Sequence, residues 1–124
     1  MVYNLYMKNF YYFILFTLLF SVEANSQDFK KTLVKAFTSQ DSSDYYFKIA
    51  KKNIKSIDDE AQYYFCKNAR YCDYNQLDSA IVYGQKALKL LKNGNDVNSL
   101  LTVYNNLAKV YRKQGQYDKA IELI

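Results

Sequence analysis

The 124-residue chain has no histidine, no proline, only three glycines and only two cysteines. Without histidine it lacks the usual general base of enzymes and the commonest metal ligand in proteins. The glycines Gly84, Gly94 and Gly115 stand far apart, so no glycine-rich loop can cradle a phosphate. No segment alternates apolar and polar residues between turn residues, as a half-buried strand would. These absences argue against the common catalytic and phosphate-binding motifs and favour helices.

The two cysteines, Cys66 and Cys72, lie six positions apart on one predicted helix. A helix rises 1.5 Å per residue, which separates them by about 9 Å, whereas a disulfide needs Cα atoms within about 7 Å. They cannot pair unless the helix breaks between them, and two thiols without histidine fall short of a zinc site. We expect both to be packed, with pairing to another chain as the alternative. No catalytic residue, metal site or cofactor is expected.

The first 26 residues have the features of a secretory signal peptide. Lys8 precedes the apolar run Phe10–Val22, and the small residues of Ala24–Ser26 then offer a cleavage site before Gln27. The run is short for a transmembrane helix, which needs about 20 apolar residues, although an uncleaved membrane anchor is the alternative. The expected location is periplasmic or extracellular. Because the protein would be exported, its net charge of +5 is not taken to indicate nucleic-acid binding.

The stretch Tyr104–Ile124 carries the clearest structural pattern in the chain. Apolar residues recur at i, i+4, i+7, i+8 and i+11, which places one stripe along a helix: Leu100, Tyr104, Leu107, Ala108 and Tyr111. Gly115 can then take the left-handed conformation that ends a helix. A second helical pattern begins at Tyr117 and includes Ala120, Ile121 and Ile124. The stretch therefore predicts a helix, a tight turn and another helix.

This spacing resembles the tetratricopeptide repeat (TPR). The matching residues, in order, are Tyr104, Leu107, Ala108, Tyr111, Gly115, Tyr117, Ala120 and Ile124. The resemblance implies an all-α, TPR-like α-solenoid of antiparallel helix pairs. It also implies binding of a protein or peptide partner without catalytic activity.

A second unit matches the first at an offset of 40, which pairs Tyr64 with Tyr104 and Tyr71 with Tyr111. Asn75 then replaces Gly115, and asparagine tolerates the left-handed conformation better than most residues. Lys67 and Asn68 depart from the pattern, since they stand where Leu107 and Ala108 stand downstream. A shift of one residue, which uses Phe65 and Ala69 instead, is the alternative register. Gly84 replaces a large residue and costs about 1 kcal/mol relative to alanine, unless a neighbour packs closely against it.

A third, degenerate unit is predicted upstream, with Phe29–Phe37 as its first helix. Its second helix would carry Tyr46, Ala50, Ile54 and Ile57. Four lysines would share the opposite, solvated face of that helix, with a binding strip as the alternative: Lys48, Lys51, Lys52 and Lys55. The predicted division is a signal peptide over 1–26, a degenerate repeat or N-terminal helices over 27–57, a TPR-like repeat over 58–95, and a TPR repeat over 96–124 that is incomplete at its C-terminus.

Two segments carry helix-start signals, at Ser56–Asp59 and at Asn93–Asp96. Five tyrosines match packing positions of the family and are expected in the core: Tyr64, Tyr71, Tyr104, Tyr111 and Tyr117. The period of 40 exceeds the usual value of about 34, as in the long repeats of exported bacterial proteins that the chain resembles.

In the family, the first helix of each repeat lines a partner-binding groove. The resemblance therefore predicts groove residues in the last repeat: Thr102, Asn105, Lys109, Arg112 and Lys113. An asparagine and several cations on one face could hold a carboxylate, while an ordinary solvated face is the alternative. The corresponding upstream residues are not basic: Gln62, Phe65, Ala69, Cys72 and Asp73.

The first functional hypothesis is an exported, non-enzymatic module for protein–protein interaction. The alternative is the N-terminal, extracytoplasmic sensor segment of a membrane signalling protein, a histidine kinase or a transcriptional regulator, whose output domain lies outside this chain. A membrane contact is expected only through an uncleaved signal segment or through a missing C-terminal part. The two hypotheses differ in whether a second apolar stretch of about 20 residues follows Ile124.

Overall fold

The computed structural model of the protein describes residues 8–10, 12–15 and 28–123. Most of the predicted signal peptide, residues 1–26, lies outside the described residues, and its described parts, 8–10 and 12–15, are helical and exposed. Among the described residues, none of the helices combines the length and the apolar character needed to cross a bilayer.

Six helices follow one another from residue 28 onward, and the described residues include no strand. They are α1 (28–38), α2 (Ser43–Lys52), α3 (Ile57–Asp73), α4 (Leu77–Leu91), α5 (Val97–Lys113) and α6 (Tyr117–Glu122). Short turns join neighbouring helices, which pack as antiparallel pairs. The protein is an all-α, TPR-like α-solenoid, as the sequence predicted.

Side-chain hydrogen bonds cap α3 and α5, the first helix of each matching repeat, at the predicted positions. The Ser56 hydroxyl accepts a hydrogen bond of 3.0 Å from the Asp59 backbone N–H, while the Asp59 carboxylate accepts one from the Lys55 N–H. At the next repeat, the Asp96 carboxylate accepts a 3.0 Å bond from the Ser99 N–H. The Asp59 and Ser99 N–H groups are among those that the first helical turn leaves free, whereas the Lys55 N–H lies just before α3.

The α3–α4 and α5–α6 pairs are related by a shift of 40 residues, from Ile57 to Val97 and from Leu77 to Tyr117. The turns within the two pairs have the same geometry, because Asn75 has a φ of 56° and Gly115 a φ of 73°. This left-handed conformation closes both helices, as predicted. The unshifted register therefore holds for α3, and Lys67 and Asn68 occupy the positions of Leu107 and Ala108.

Two apolar clusters stabilise the solenoid. The first joins α3, α4, α5 and α6 through Ala61, Ala87, Leu88, Leu91, Val103, Leu107, Tyr111 and Ala120. The second joins α1, α2 and α3 through Phe29, Leu33, Ala36, Phe47, Ala50 and Tyr63. Because α3 contributes to both clusters, it links the N-terminal helices to the two matching repeats.

Two details of the predicted helices are wrong. The second helix of the first unit ends at Lys52, so Ile54 and Lys55 lie beyond it and Ile57 begins α3. Tyr117 is not in the core but 62 % exposed, and Ile121 is 67 % exposed. Both project from the outer side of α6, where no described helix covers them.

Candidate interaction surfaces

A cavity of about 1160 Å³, called here the larger cavity, lies between α1 and α3. The end of α4 and the turn before α5 close one side of it. Its apolar wall comes mainly from α1 and α3 and includes Phe29, Leu33, Val34, Phe37, Phe65, Cys66, Ala69, Leu90 and Leu91. Val34 is 61 % exposed and Phe37 38 % exposed, so an incoming side chain can reach apolar surface here.

Polar residues line the part of this cavity nearest the helix N-termini. Gln62 donates a hydrogen bond of 2.8 Å to the Asp96 carboxylate and so ties α3 to the start of α5. Hydrogen bonds from the Ser99 hydroxyl and N–H lower the pKa of Asp96, and the bond from Gln62 adds to this effect. The Asp96 side chain is therefore charged at neutral pH and held in place.

The upstream positions that correspond to the predicted groove divide between two environments. Gln62, Phe65 and Ala69 line the larger cavity, whereas Cys72 and Asp73 do not. The first helix of this repeat therefore presents a concave, mostly apolar surface at three of those five positions.

The predicted groove residues of α5 are not all on one surface. Asn105, Lys109 and Arg112 line a smaller cavity of about 450 Å³ beside α6. Thr102 is outside it and donates a hydrogen bond to the Asn98 carbonyl of its own helix. The Lys113 ammonium donates a 3.0 Å bond to the Asn75 side chain in the α3–α4 turn.

A lysine surrounded by aromatic rings occupies the surface between α2, α3 and α4. The Lys67 ammonium lies 4.9 Å from the ring centroid of Phe47, 5.2 Å from Tyr83, 5.4 Å from Tyr71 and 5.9 Å from Tyr63. At these distances the ring faces attract the cation. Burial raises the pKa of Tyr63 to about 12, so this ring stays neutral. The sequence alone did not predict this group, although Tyr63, Lys67 and Tyr71 recur at i, i+4 and i+8.

The sequence alone also did not predict that two buried polar residues of α3, Asn68 and Arg70, link this helix to its neighbours. The Asn68 amide donates to the Ala80 carbonyl of α4 at 2.9 Å and accepts from the Asn106 amide of α5 at 2.9 Å. The Arg70 guanidinium donates to the Phe37 carbonyl at 2.8 Å, to the Ser39 carbonyl and to the Tyr74 hydroxyl. It thus pairs carbonyls at the end of α1 that the helix leaves free.

Cys66 and Cys72 are both free, as their spacing predicted. Burial raises the pKa of the Cys66 thiol to about 11 and also raises that of Cys72. Among the described residues, no three His, Cys, Asp or Glu side chains are grouped so that they could hold a metal ion. A raised thiol pKa means little thiolate, and thiolate is the reactive form.

The paired helices, the left-handed turns and the 40-residue repeat define a helical-repeat protein. A sequence model of the family described as "Tetratricopeptide repeat" matches residues 71–124, a little under half of the chain. The match supports a place in the TPR family, whose repeats generally bind protein partners and are typically not catalytic. No curated protein and no solved structure matches the chain significantly.

Proposed function

We propose that the protein is an exported TPR-type module that binds a protein or peptide partner and has no catalytic activity of its own. The larger cavity between α1 and α3 is the observation that carries the proposal. It combines exposed apolar surface at Val34 and Phe37 with fixed polar groups at Gln62 and Asp96. Such a combination supplies both binding energy and orientation.

The partner that best fits this cavity is a peptide segment with a large apolar side chain. Its apolar side chain would contact Val34, Phe37 and Phe65, while its backbone or polar side chains would pair with residues at the α3 and α5 N-termini. About 25 cal/mol is gained per Å² of apolar surface buried, so one well-buried side chain contributes about 2 kcal/mol. The interaction expected from one such anchor is therefore modest in strength.

A peptide-display selection against the purified chain tests this proposal. Peptides that are enriched on the wild-type protein should lose at least about tenfold in affinity for Val34→Asp, since each tenfold corresponds to about 1.4 kcal/mol. Val82→Asp is the matched control, because Val82 is 48 % exposed on α4 and does not line the cavity. Selected peptides that bind both variants equally well would place their binding site elsewhere.

The signal peptide over 1–26 and the repeat boundaries at 27–57, 58–95 and 96–124 belong to the same proposal. The basic residue, short apolar run and small residues before Gln27 support export. Expression in a bacterium with a periplasm, followed by N-terminal sequencing, should yield a periplasmic product that begins at Gln27. A full-length product in the membrane fraction would instead indicate an uncleaved anchor.

In the sensor alternative, the same surface would receive a signal. The output domain would then be a histidine kinase or a transcriptional regulator. No feature of the described residues favours it over the simpler interaction module. The predicted groove residues of α5, which are Thr102, Asn105, Lys109, Arg112 and Lys113, remain a second proposed contact surface. No nucleic acid is proposed as a partner.

A further inference from the structure

The lining of the larger cavity is acidic overall. It includes three carboxylates, Asp58, Asp59 and Asp96, and one cation, Lys30. Three negative charges and one positive charge leave an excess of two negative charges, although the whole chain has a net charge of +5. The local charge is therefore opposite in sign to that of the protein. A preference of this cavity for cations cannot come from the net charge.

Helix capping accounts for two of these carboxylates but not for the third. The carboxylates of Asp59 and Asp96 each accept a backbone N–H bond at the starts of α3 and α5. The Asp58 carboxylate is exposed and accepts no hydrogen bond from any described residue. Its place in the first turn of α3 suits the helix dipole, which requires no hydrogen bond from it. Asp58 can therefore accept hydrogen bonds from a cationic group of a partner.

The α3 side of the cavity changes from acidic to apolar along one stripe. The lining residues Asp58, Gln62, Phe65 and Ala69 lie at i, i+4, i+7 and i+11, which places them on one face of the helix. With a rise of 1.5 Å per residue, Phe65 lies about 10 Å beyond Asp58 along the helix axis. The acidic end and the apolar end of the stripe are therefore well separated.

The exposed apolar residues of α1 lie toward the apolar end of this stripe. Arg70, near the end of α3, donates hydrogen bonds to the Phe37 and Ser39 carbonyls at the end of α1, so the C-terminal ends of the two helices lie together. Phe37 is therefore closer to the C-terminal part of α3 than to Asp58. An apolar side chain that enters between Phe37 and Phe65 would lie about 10 Å from the Asp58 carboxylate.

This separation sets the spacing of the matching groups in a partner. An extended chain advances about 3.3 Å per residue, so about three residues span 10 Å. A cation that pairs with Asp58 would stand about three positions from the apolar side chain. A carboxylate at the same position would be repelled by Asp58 and Asp96.

We propose that the larger cavity binds an extended segment of a partner protein that carries arginine or lysine about three positions from a large apolar residue. The proposal rests on the interaction function above and adds the charge of the partner to it. It also distinguishes this cavity from the α5 surface, where Lys109 and Arg112 would favour a carboxylate.

Three capped synthetic peptides in a glycine–serine background test the charge rule. The first carries one phenylalanine with arginine three positions away on each side, so that it can bind in either direction. The second has glutamate in place of both arginines, and the third keeps the arginines but has glycine in place of phenylalanine. Titration of the nitrogen-15-labelled full chain at low salt, followed by nuclear magnetic resonance, measures even the weak binding that a single apolar anchor gives.

The phenylalanine–arginine peptide should bind at least about fivefold more tightly than the glutamate peptide, since exposed charge pairs are individually weak. The net charge of +5 works against this result and makes it stringent. The glycine peptide should bind more weakly than the phenylalanine–arginine peptide. Equal affinities for the arginine and glutamate peptides, or tighter binding of the glutamate peptide, would overturn the proposal.

Charge variants locate the binding. Asp58→Lys should remove the preference for the arginine peptide, whereas Asp44→Lys should leave it unchanged. Asp44 is the matched control, because it is also an exposed carboxylate in the first turn of a helix but does not line the cavity. Lys30→Gln should increase the preference, since it removes the cation of the lining. If Asp58→Lys behaves like Asp44→Lys, the acidic end is not the site.

Two further measurements separate this proposal from its competitors. Val34→Ser removes exposed apolar surface of the cavity without adding a charge and should weaken both phenylalanine peptides. Unchanged binding to Val34→Ser would overturn the interaction function of the cavity, whereas equal binding of arginine and glutamate peptides overturns the charge rule alone. Sedimentation of the protein alone should show a monomer. A dimer that Asp58→Lys dissociates would overturn the proposal and assign the cavity to a second copy.

Discussion

Single residues of α3 show how polar side chains replace apolar ones in this fold. Lys67 stands where the next repeat has Leu107, and its methylene chain brings the ammonium among four aromatic rings instead of into the core. Asn68 is fully buried, yet hydrogen bonds to Ala80 and Asn106 pair both ends of its amide. A buried polar group without such partners would be costly. The departures from the family pattern are therefore compensated locally.

The substitution Gly84→Ala should destabilise the protein although alanine is the better helix former. Its Cβ would lie 2.6 Å from a methyl carbon of Leu107 and 2.7 Å from the Asn68 amide nitrogen. We expect a loss of about 1 kcal/mol in unfolding free energy, because overpacking costs about 1–3 kcal/mol and propensity returns about 1 kcal/mol. Urea denaturation of the wild type and the variant measures this loss in unfolding free energy. The double variant with Leu107→Ala should lose less than the two single losses combined, and simple additivity would refute the steric explanation.

Cys66 should react with thiol reagents far more slowly in the folded protein than in urea. Burial raises its pKa from 9.0 to about 11, so at pH 8 the thiolate fraction falls by about a hundredfold. Because the folded state favours the neutral thiol, the raised pKa of Cys66 adds to the free energy of unfolding. This contribution is complete below pH 9 and is lost as the pH rises toward 11. A Cys72→Ser variant isolates the signal in a disulfide-exchange assay. Equal rates in native buffer and in urea would contradict the assigned cause.

At the scale of helices, the repeat depends on how each helix ends. Asn75 and Gly115 place the chain in the left-handed conformation, and the Gln76 and Gln116 N–H groups then bond to Tyr71 and Tyr111 at 2.9 and 2.8 Å. The same turn geometry at both positions keeps the 40-residue register. The end of α1 is stabilised differently, by the Arg70 side chain of α3.

Arg70→Met should loosen the last turn of α1. The guanidinium of Arg70 pairs the carbonyls of Phe37 and Ser39, and methionine keeps much of the side-chain length but offers no donor. Hydrogen bonds to a charged group contribute about 1.5–3 kcal/mol, so a loss of about 2 kcal/mol in unfolding free energy is expected. Hydrogen exchange should rise in α1 more than in α5. The exposed Arg112→Met is the control and should stay within about 0.5 kcal/mol of wild type.

At the scale of the whole molecule, stability should fall from α4 toward α6. In a repeat protein each element is stabilised mainly by its neighbours. The helix α4 is packed between α3 and α5, whereas α6 is six residues long and contacts mainly α5. We therefore expect α6 amides to exchange at least about a hundredfold faster than those of α4, as local opening precedes global unfolding.

Native-state hydrogen exchange, read by mass spectrometry after proteolysis, tests this order. The helix α2 serves as the internal control. Exchange in α6 as slow as in α4 would contradict the expected order of stability.

The sequence alone predicted the features that depend on residues within one or two turns. These are the helical stripes, the caps at Ser56 and Asp96, and the left-handed turns at Asn75 and Gly115. Capping bonds join residues three positions apart, so a short stretch of chain contains all the partners. The internal offset of 40 and the resemblance to the TPR family then predicted the paired-helix fold.

Only the tertiary structure decided which faces are covered and which polar residues are buried. Tyr117 fits the apolar stripe but is exposed, because burial depends on a neighbouring helix and not on the residue itself. Arg70 bonds to the Phe37 and Ser39 carbonyls, and Asn68 to the Asn106 amide, across 31 to 38 positions of sequence, and no local pattern reveals such pairs. The cavities likewise arise between helices that are distant in sequence. Local hydrogen bonding and periodicity therefore determine the elements, while packing across the solenoid decides which of their surfaces remain open to a partner.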